Sequence, residues 1–129
     1  MFFDVDPSNG VPIYEQVVRQ VVYAVAAGSL KAGDLVPSVR ELARELAINP
    51  NTVSRAYRQL QDDGILESVR GTGLAVAAGA MTRCCEARVN LLRARLQQVL
   101  VEARQSRLAP EELRSLVESE LAGLKQGEA

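Results

Sequence analysis

Histidine and tryptophan are absent from the sequence, and aromatic residues make up only 4% of its 129 positions. Because histidine is the commonest general base near neutral pH, its absence weighs against catalysis. No serine, cysteine or carboxylate pair stands in a recognisable catalytic arrangement. We therefore expect that the protein is not an enzyme.

Cysteine is scarce, and the two cysteines that occur, Cys84 and Cys85, are neighbours. Neighbouring cysteines rarely reach disulfide geometry with each other. Without histidine or a second cysteine pair, a zinc site is not expected, and nothing in the sequence implies another metal or a cofactor. Two ordinary helix residues are therefore predicted, and a disulfide between two chains stays open as the alternative.

Long uncharged apolar runs are also missing. No run approaches the roughly 20 residues that span a bilayer, and the start, Met1 to Asp4, lacks the basic flank of a signal peptide. With 47% hydrophobic and 24% charged residues, the composition is typical of a globular protein. We expect a cytoplasmic protein that does not bind membranes.

The sequence lacks the excess of positive charge that most nucleic-acid-binding domains show, because its formal net charge is −1. Any nucleic-acid surface must therefore gather its basic side chains on one face. All of the 15 basic residues except Lys31 and Lys125 are arginine, which is suited to forked hydrogen bonds with phosphate and guanine.

The first part of the chain is expected to be a lead-in followed by one helix. Residues 1 to 10 are interpreted as an extended segment. An apolar residue then recurs every four positions from Ile13 to Val25. This spacing predicts an amphipathic helix from about Pro12 to Ala27, ended by Gly28.

Two closely spaced start signals predict a helix-turn-helix. Ser38 and Glu41 have the spacing of a capping box, and Asn49 precedes Pro50 in the order of a helix cap and a first helical residue. Only a short turn separates the two helices, of which the second is predicted to end near Asp63. Its buried stripe is expected to consist of Val53, Ala56, Tyr57 and Leu60.

Two short strands and a helical tail complete the pattern. Residues 65–69 and 73–77 are predicted strands around a hairpin tip at Arg70 and Gly71. This element order is that of a winged helix. We expect a mostly α fold, with a winged helix-turn-helix DNA-binding domain over residues 1–78 and a short two-helix dimerisation region over residues 79–129.

The tail carries an apolar stripe in which spacings of three and four residues alternate, as in a coiled coil. The stripe contains Val89, Leu92, Leu96, Val99 and Ala103. It either packs on the last helix of the same chain, which Pro110 opens, or is buried against a second copy. Two amphipathic helices enclose little core by themselves, so a two-fold homodimer with Val89, Leu92, Leu96 and Val99 as contacts is expected. Such a dimer predicts a palindromic DNA site.

Five sequence blocks, in this order and with these gaps, resemble the N-terminal domain of GntR-family regulators. They are Pro12-Ile-Tyr-Glu-Gln, Leu30-Lys-Ala-Gly-Asp34, Pro37-Ser-Val-Arg-Glu-Leu-Ala43, Asn49-Pro-Asn-Thr-Val-Ser-Arg-Ala-Tyr57 and Gly64-Ile-Leu-Glu67. The resemblance covers residues 11–77, and the fourth block and the short tail are most similar to the YtrA-like subfamily. It implies a homodimeric winged-helix repressor, often of transporter operons.

Once the buried stripe is set aside, the polar residues of the third helix are expected to face DNA. They are Asn49, Asn51, Thr52, Ser54 and Arg55. Asparagine and arginine can bond adenine and guanine edges, and the hydroxyls suit phosphates. Neither residue 51 nor residue 59 is acidic, so Arg55 has no ion-pair partner one turn away on its own helix. The alternative role of Asn49 is that of a helix cap.

The resemblance adds Arg40, because the matching arginine of the family contacts DNA; a surface salt bridge is the alternative. At the predicted hairpin tip, Arg70 can reach phosphate or the minor groove, and Gly71 permits close approach or simply a positive φ. The wing departs from the family pattern at Val69 and at Leu74-Ala75. These replacements predict a weaker wing contact with DNA.

Together these patterns predict a sequence-specific DNA-binding transcription regulator. The expected function is repression of its own operon, possibly a transporter-linked one, through a palindromic operator bound by a homodimer. Two alternatives stay open. The first is a winged-helix module that binds a protein, and the second is a regulator that responds to a small ligand in a pocket of the helical tail.

Overall fold

The computed structural model describes residues 5–127 as five helices and one two-stranded antiparallel sheet. The elements are α1 (Ile13–Ala26), α2 (Val39–Leu46), α3 (Pro50–Asp62), β1 (Leu66–Val69), β2 (Gly73–Val76), α4 (Ala80–Gln105) and α5 (Pro110–Gly127). The predicted winged helix-turn-helix with a helical tail is thereby confirmed. None of the described helices is long and apolar enough to cross a membrane.

The chain divides into two compact units, one ending at Asn90 and one beginning at Leu91. In the first unit, α1, α2 and α3 enclose an apolar core. Its largest fully buried side chains include Val17 and Val21 of α1, Leu42 of α2 and Leu60 of α3. All four residues of the predicted α3 stripe are buried, which confirms the spacing argument.

The turn between α2 and α3 is fixed by local hydrogen bonds. The Ser38 hydroxyl accepts from the Glu41 N–H at 3.1 Å, and the Glu41 carboxylate accepts from the Ser38 N–H at 3.2 Å. This is the predicted capping box. At the other end of α2, Ala47 adopts a left-handed conformation with φ of 55°, which ends the helix and redirects the chain toward α3.

The wing is a hairpin in which Leu66 pairs with Val76 and Val69 pairs with Gly73. Residues 33–36 lie along its free edge, because the Val36 N–H donates to the Leu74 carbonyl at 3.0 Å and Leu35 bridges to Ala75. These contacts tie the segment before α2 to the wing, so the start of α2 and the hairpin are held in a fixed relation.

The extended lead-in predicted for residues 1 to 10 is wrong for the part that the structure describes, and residues 1–4 lie outside it. Residues from Asp6 onward form turns, with the Asp6 carboxylate accepting from the Ser8 N–H at 2.9 Å. The buried side chain of Gln16 holds these turns on α1, since its amide donates to the carbonyls of Asp6 and Val11 at 2.8 and 2.9 Å.

The beginning of α4 belongs to the first unit and packs on its core. Ala80 and Cys84 are buried, and the Arg83 guanidinium donates to the Gly64 carbonyl just after α3 at 2.8 Å. Burial, together with the neighbouring Cys85, raises the pKa of the Cys84 thiol to about 11, so Cys84 stays a neutral core residue. The division of the chain into DNA-binding and dimerisation regions at residue 78 stays a prediction.

The second unit consists of the rest of α4 and of α5, joined by a turn at Arg107, whose φ is 63°. Apolar side chains of both helices are exposed in the single chain; they include Leu92, Leu96, Val99, Leu116, Val117, Leu121 and Leu124. Leu100, Leu108 and Leu113 line a groove of about 540 Å³ between the two helices. Packing within this unit therefore leaves most of the predicted apolar stripe open.

Candidate nucleic-acid interface

The N-terminal end of α3 presents polar groups to solvent. Asn49 caps the helix, because its side-chain oxygen accepts from the Asn51 N–H at 2.8 Å. Pro50 occupies the first helical position, where no N–H is needed. The remaining N–H groups of the first turn and the helix dipole favour an anion such as a phosphate at this end.

The predicted recognition residues lie on the side of α3 that the core leaves free. Asn51 and Arg55 are exposed, and Thr52 and Ser54 are half-buried. Their neighbours Val53, Ala56 and Tyr57 point into the core. The periodicity of the helix thus separates a packing face from a polar face, as the sequence predicted.

Charge is unevenly distributed along α3. Arg55 and Arg58 are exposed on its first half and middle, and no acidic residue precedes Asp62 at its C-terminal end. The net charge of −1 therefore does not argue against a nucleic-acid surface on α3. A basic face exists locally although the chain as a whole has no basic excess.

Arg55 has a partner that the sequence did not indicate. Its guanidinium carbon lies 3.7 Å from the centroid of the Tyr14 ring, which belongs to the first turn of α1. The Tyr14 hydroxyl donates to the Glu15 carboxylate at 3.2 Å, and Glu15 forms an i,i+4 ion pair with Arg19 at 3.9 Å. The contact is tertiary, so the residues one turn away from Arg55 on α3 give no sign of it.

The start of α2 carries Arg40, which is exposed. Hydrogen bonds from the Ser38 backbone and side chain, with a smaller effect of the Arg44 charge, lower the pKa of Glu41. The hydroxyl of Tyr57 donates to the Pro37 carbonyl at 2.7 Å and so fastens α3 to the segment that leads into α2. Burial and the charges of Glu41 and Glu45 raise the Tyr57 pKa well above its ordinary value.

The wing tip lies beside the start of α2. An open groove of about 600 Å³ is lined on one side by Thr72, Gly73 and Leu74 and on the other by Ser38, Val39 and Glu41. The tip itself is a tight turn in which the Thr72 N–H donates to the Val69 carbonyl at 2.9 Å. Arg70 and Gly71 are exposed there. Gly71 has a φ of 76°, a left-handed conformation that glycine adopts more readily than other residues.

We call these residues the recognition surface. It consists of Arg40, Asn49, Asn51, Thr52, Ser54, Arg55, Arg70 and Gly71. Every one of them is at least partly accessible, and the α2, α3 and wing elements that carry them are cross-linked by the contacts of Tyr57 and residues 33–36. Their contacts with DNA stay a prediction. Tyr14, which contacts Arg55, was missed as a contributor, although it lies in the Pro12–Gln16 block that carries the family resemblance.

A helix-turn-helix followed by a paired wing, with a polar first turn on its second helix, defines the winged-helix class of DNA-binding proteins. Within that class, the chain belongs to the gntR family of bacterial regulatory proteins, whose family profile matches residues 13–76. Members of this family are transcription regulators and not enzymes, as the missing catalytic groups predicted.

Individual relatives agree with this assignment. The HTH-type transcriptional repressor YtrA of Bacillus subtilis (strain 168) is 37% identical over 123 residues, which cover 95% of both chains. A GntR family transcriptional regulator from Listeria monocytogenes is 32% identical with a TM-score of 0.67, and the alignment covers 91% of this chain and 98% of that one. The predicted similarity to the YtrA-like subfamily is thereby confirmed.

One similar structure contains nucleic acid. The DNA-binding domain of AraR in complex with operator ORE1 has a TM-score of 0.50 and 26% identity, over 59% of this chain and 95% of that one.

Proposed function

We propose that this chain is a sequence-specific repressor that binds a palindromic operator as a homodimer. The observation that carries the proposal is the recognition surface, in which a polar, arginine-bearing face of α3 is free of the core and Arg70 is exposed at the wing tip. The YtrA relative, a repressor by name, and the operator-bound AraR domain support the same reading.

In the proposed complex, the first turns of α3 enter the major groove. Asn51 and Arg55 contact base edges there, while Thr52, Ser54 and the helix N-terminus contact phosphates. Arg40 at the start of α2 binds the adjoining backbone. Each class of contact has its own consequence, because base contacts provide specificity and phosphate contacts provide affinity that falls as salt rises.

The wing makes a further contact in this proposal. Arg70 at the exposed tip contacts phosphate or the minor groove. Because Gly71 has no side chain, the backbone can approach the DNA closely at this point. Val69, which stands where the family pattern often has arginine, is 39% exposed and adds no charge. The wing therefore contributes less to binding than α3.

Dimerisation is supported by the apolar side chains of the tail. Val89 is 48% exposed, Leu96 is 52% exposed and Val99 is 53% exposed in the single chain, and Leu92 has a similar exposure. Contiguous apolar surface of this kind typically marks an interface. A second copy buries the stripe by two-fold symmetry, and two recognition surfaces related by that symmetry then read a palindrome.

Repression follows from occupancy, since a dimer bound over a promoter excludes the transcription machinery. We propose that the operator lies in the protein's own operon. The resemblance to YtrA-like regulators supports a transporter-linked operon, and the similarity to YtrA over 95% of the chain supports a shared mode of action.

The proposal is tested by selecting a binding site from random-sequence duplex DNA with the full chain. The affinity for the selected site and for a scrambled duplex is then measured by fluorescence anisotropy over a salt series. We expect selective, salt-dependent binding. Arg40→Ala and Arg55→Ala should each weaken operator binding by about 5- to 100-fold, the usual effect of one good contact.

The matched control is Arg95→Ala, an exposed arginine of the second unit that the proposal does not assign to DNA. It should bind within about two-fold of the parent chain. If selection yields no motif from a folded protein, the DNA-binding proposal fails. If a motif emerges but both α2 and α3 variants bind normally, the recognition surface has been misplaced.

A further inference from the structure

Tyr14 and Arg55 join α1 to the recognition surface. The guanidinium carbon of Arg55 lies 3.7 Å above the Tyr14 ring centroid, so the two planar groups are in direct contact. Arg55 is exposed and Tyr14 is half-buried. A cation at this distance from a ring face is attracted by the ring quadrupole.

The helices α1 and α3 also pack on each other in the core. Val17 and Val21 of α1 and Val53 and Leu60 of α3 are fully buried there. Tyr14 lies at the margin of this packing, in the first turn of α1. The stack between Tyr14 and Arg55 is therefore an addition at the surface.

The stack has a direct effect on how Arg55 meets a ligand. An arginine side chain loses several freely populated rotamers when it binds, and that loss opposes affinity. Contact with the ring restricts those rotamers before binding. A guanidinium carries five N–H donors, and contact with a ring face does not use them as hydrogen bonds to an acceptor would, so they stay available for a base or a phosphate.

We propose that Tyr14 is a positioning residue for operator recognition, which holds the Arg55 guanidinium ready for its DNA contact. This inference rests on the proposed function, and it adds a residue from outside the helix-turn-helix to the determinants of affinity. Tyr14 does not contact DNA in this account. Its whole effect is transmitted through Arg55.

The test is a double-mutant cycle on the selected operator with the full chain. Tyr14→Leu should weaken binding by about two- to five-fold, the range expected for a surface cation–π contact. Tyr14→Phe keeps the ring and should restore binding to within about two-fold of the parent. In an Arg55→Ala background, Tyr14→Leu should cause no further loss.

A measurement on the free protein separates positioning from general damage. In an NMR spectrum, the δ-methylene protons of Arg55 should be shifted by the ring current in the parent and in Tyr14→Phe but not in Tyr14→Leu. Equal thermal midpoints of these variants would show that packing is intact.

The inference is overturned if Tyr14→Leu binds like the parent, or if it weakens the Arg55→Ala protein just as much. Neither result would contradict the proposal that the parent chain binds an operator. Failure of the parent to select an operator would instead remove the proposed function itself, so the two failures are distinguishable.

Discussion

At the scale of single residues, Tyr57 connects the core to the recognition surface. Its ring is buried, and its hydroxyl donates to the Pro37 carbonyl at 2.7 Å. Tyr57→Phe removes the donor and leaves that carbonyl without its partner. We expect a loss of about 1 kcal/mol in the free energy of unfolding, measured by urea denaturation at neutral pH. A stability equal to that of the parent would contradict the role given to this hydrogen bond.

The same residue predicts a dependence of stability on pH. Burial, reinforced by Glu41 and Glu45, raises the pKa of Tyr57 above its ordinary value of 10.0. Below pH 10 the hydroxyl is protonated in both the folded and the unfolded chain, so its contribution is fully present. As the pH rises beyond 10, only the unfolded chain ionises and stability is lost. The free energy of unfolding should therefore fall less steeply above pH 10 in Tyr57→Phe than in the parent, and parallel curves would refute this.

At the scale of elements, α3 depends on the Asn49 cap as well as on its buried stripe. The cap and a DNA contact can be separated by substitution. Asn49→Ala should cost about 1 kcal/mol of stability, whereas Asn49→Ser keeps a capping oxygen and should cost only a few tenths. If Asn49 also contacts DNA, both variants should bind the operator more weakly when measured well below their thermal midpoints. Normal binding by Asn49→Ser would leave Asn49 as a cap alone.

Helices and their ends were predictable because their causes are local. The Ser38 and Glu41 pair, the Asn49 cap and the stripe from Val53 to Leu60 lie within a few residues of their partners, and the structure has them as predicted. The lead-in was predicted wrongly because the cause of its structure is not local. Its turns are stabilised by Gln16, which lies 10 residues from Asp6 in the sequence, so no local pattern reveals the contact.

In the recognition surface, too, local features were predictable and long-range contacts were not. Helical periodicity was enough to assign Asn51 and Arg55 to the free face of α3. The contact between Arg55 and Tyr14 arises from the packing of α1 on α3, which brings residues 41 positions apart together. A contact between residues so far apart cannot be predicted from the local patterns of a single sequence. The block that contains Tyr14 carries the family resemblance, but it assigned no role to Tyr14.

At the scale of the whole molecule, the exposed apolar side chains of the tail predict a second copy as partner. Leu96→Arg and Val99→Arg place a charge in the proposed interface and should convert a dimer into a monomer, measured by light scattering after size exclusion. The matched control is Arg95→Ala on the same helix. Monomers should still fold their winged helix but bind a palindrome far more weakly, because only one recognition surface engages. A parent chain that is already monomeric would contradict the proposed assembly.

Hydroxyl-radical footprinting of the full chain on its selected operator tests the central claim most directly, because it reports sequence specificity and symmetry together. The account predicts two protected segments related by a two-fold axis, with centres about 10 base pairs, or a multiple of that spacing, apart. A single asymmetric protected segment, or protection that does not follow sequence, would contradict a homodimer that reads a palindrome.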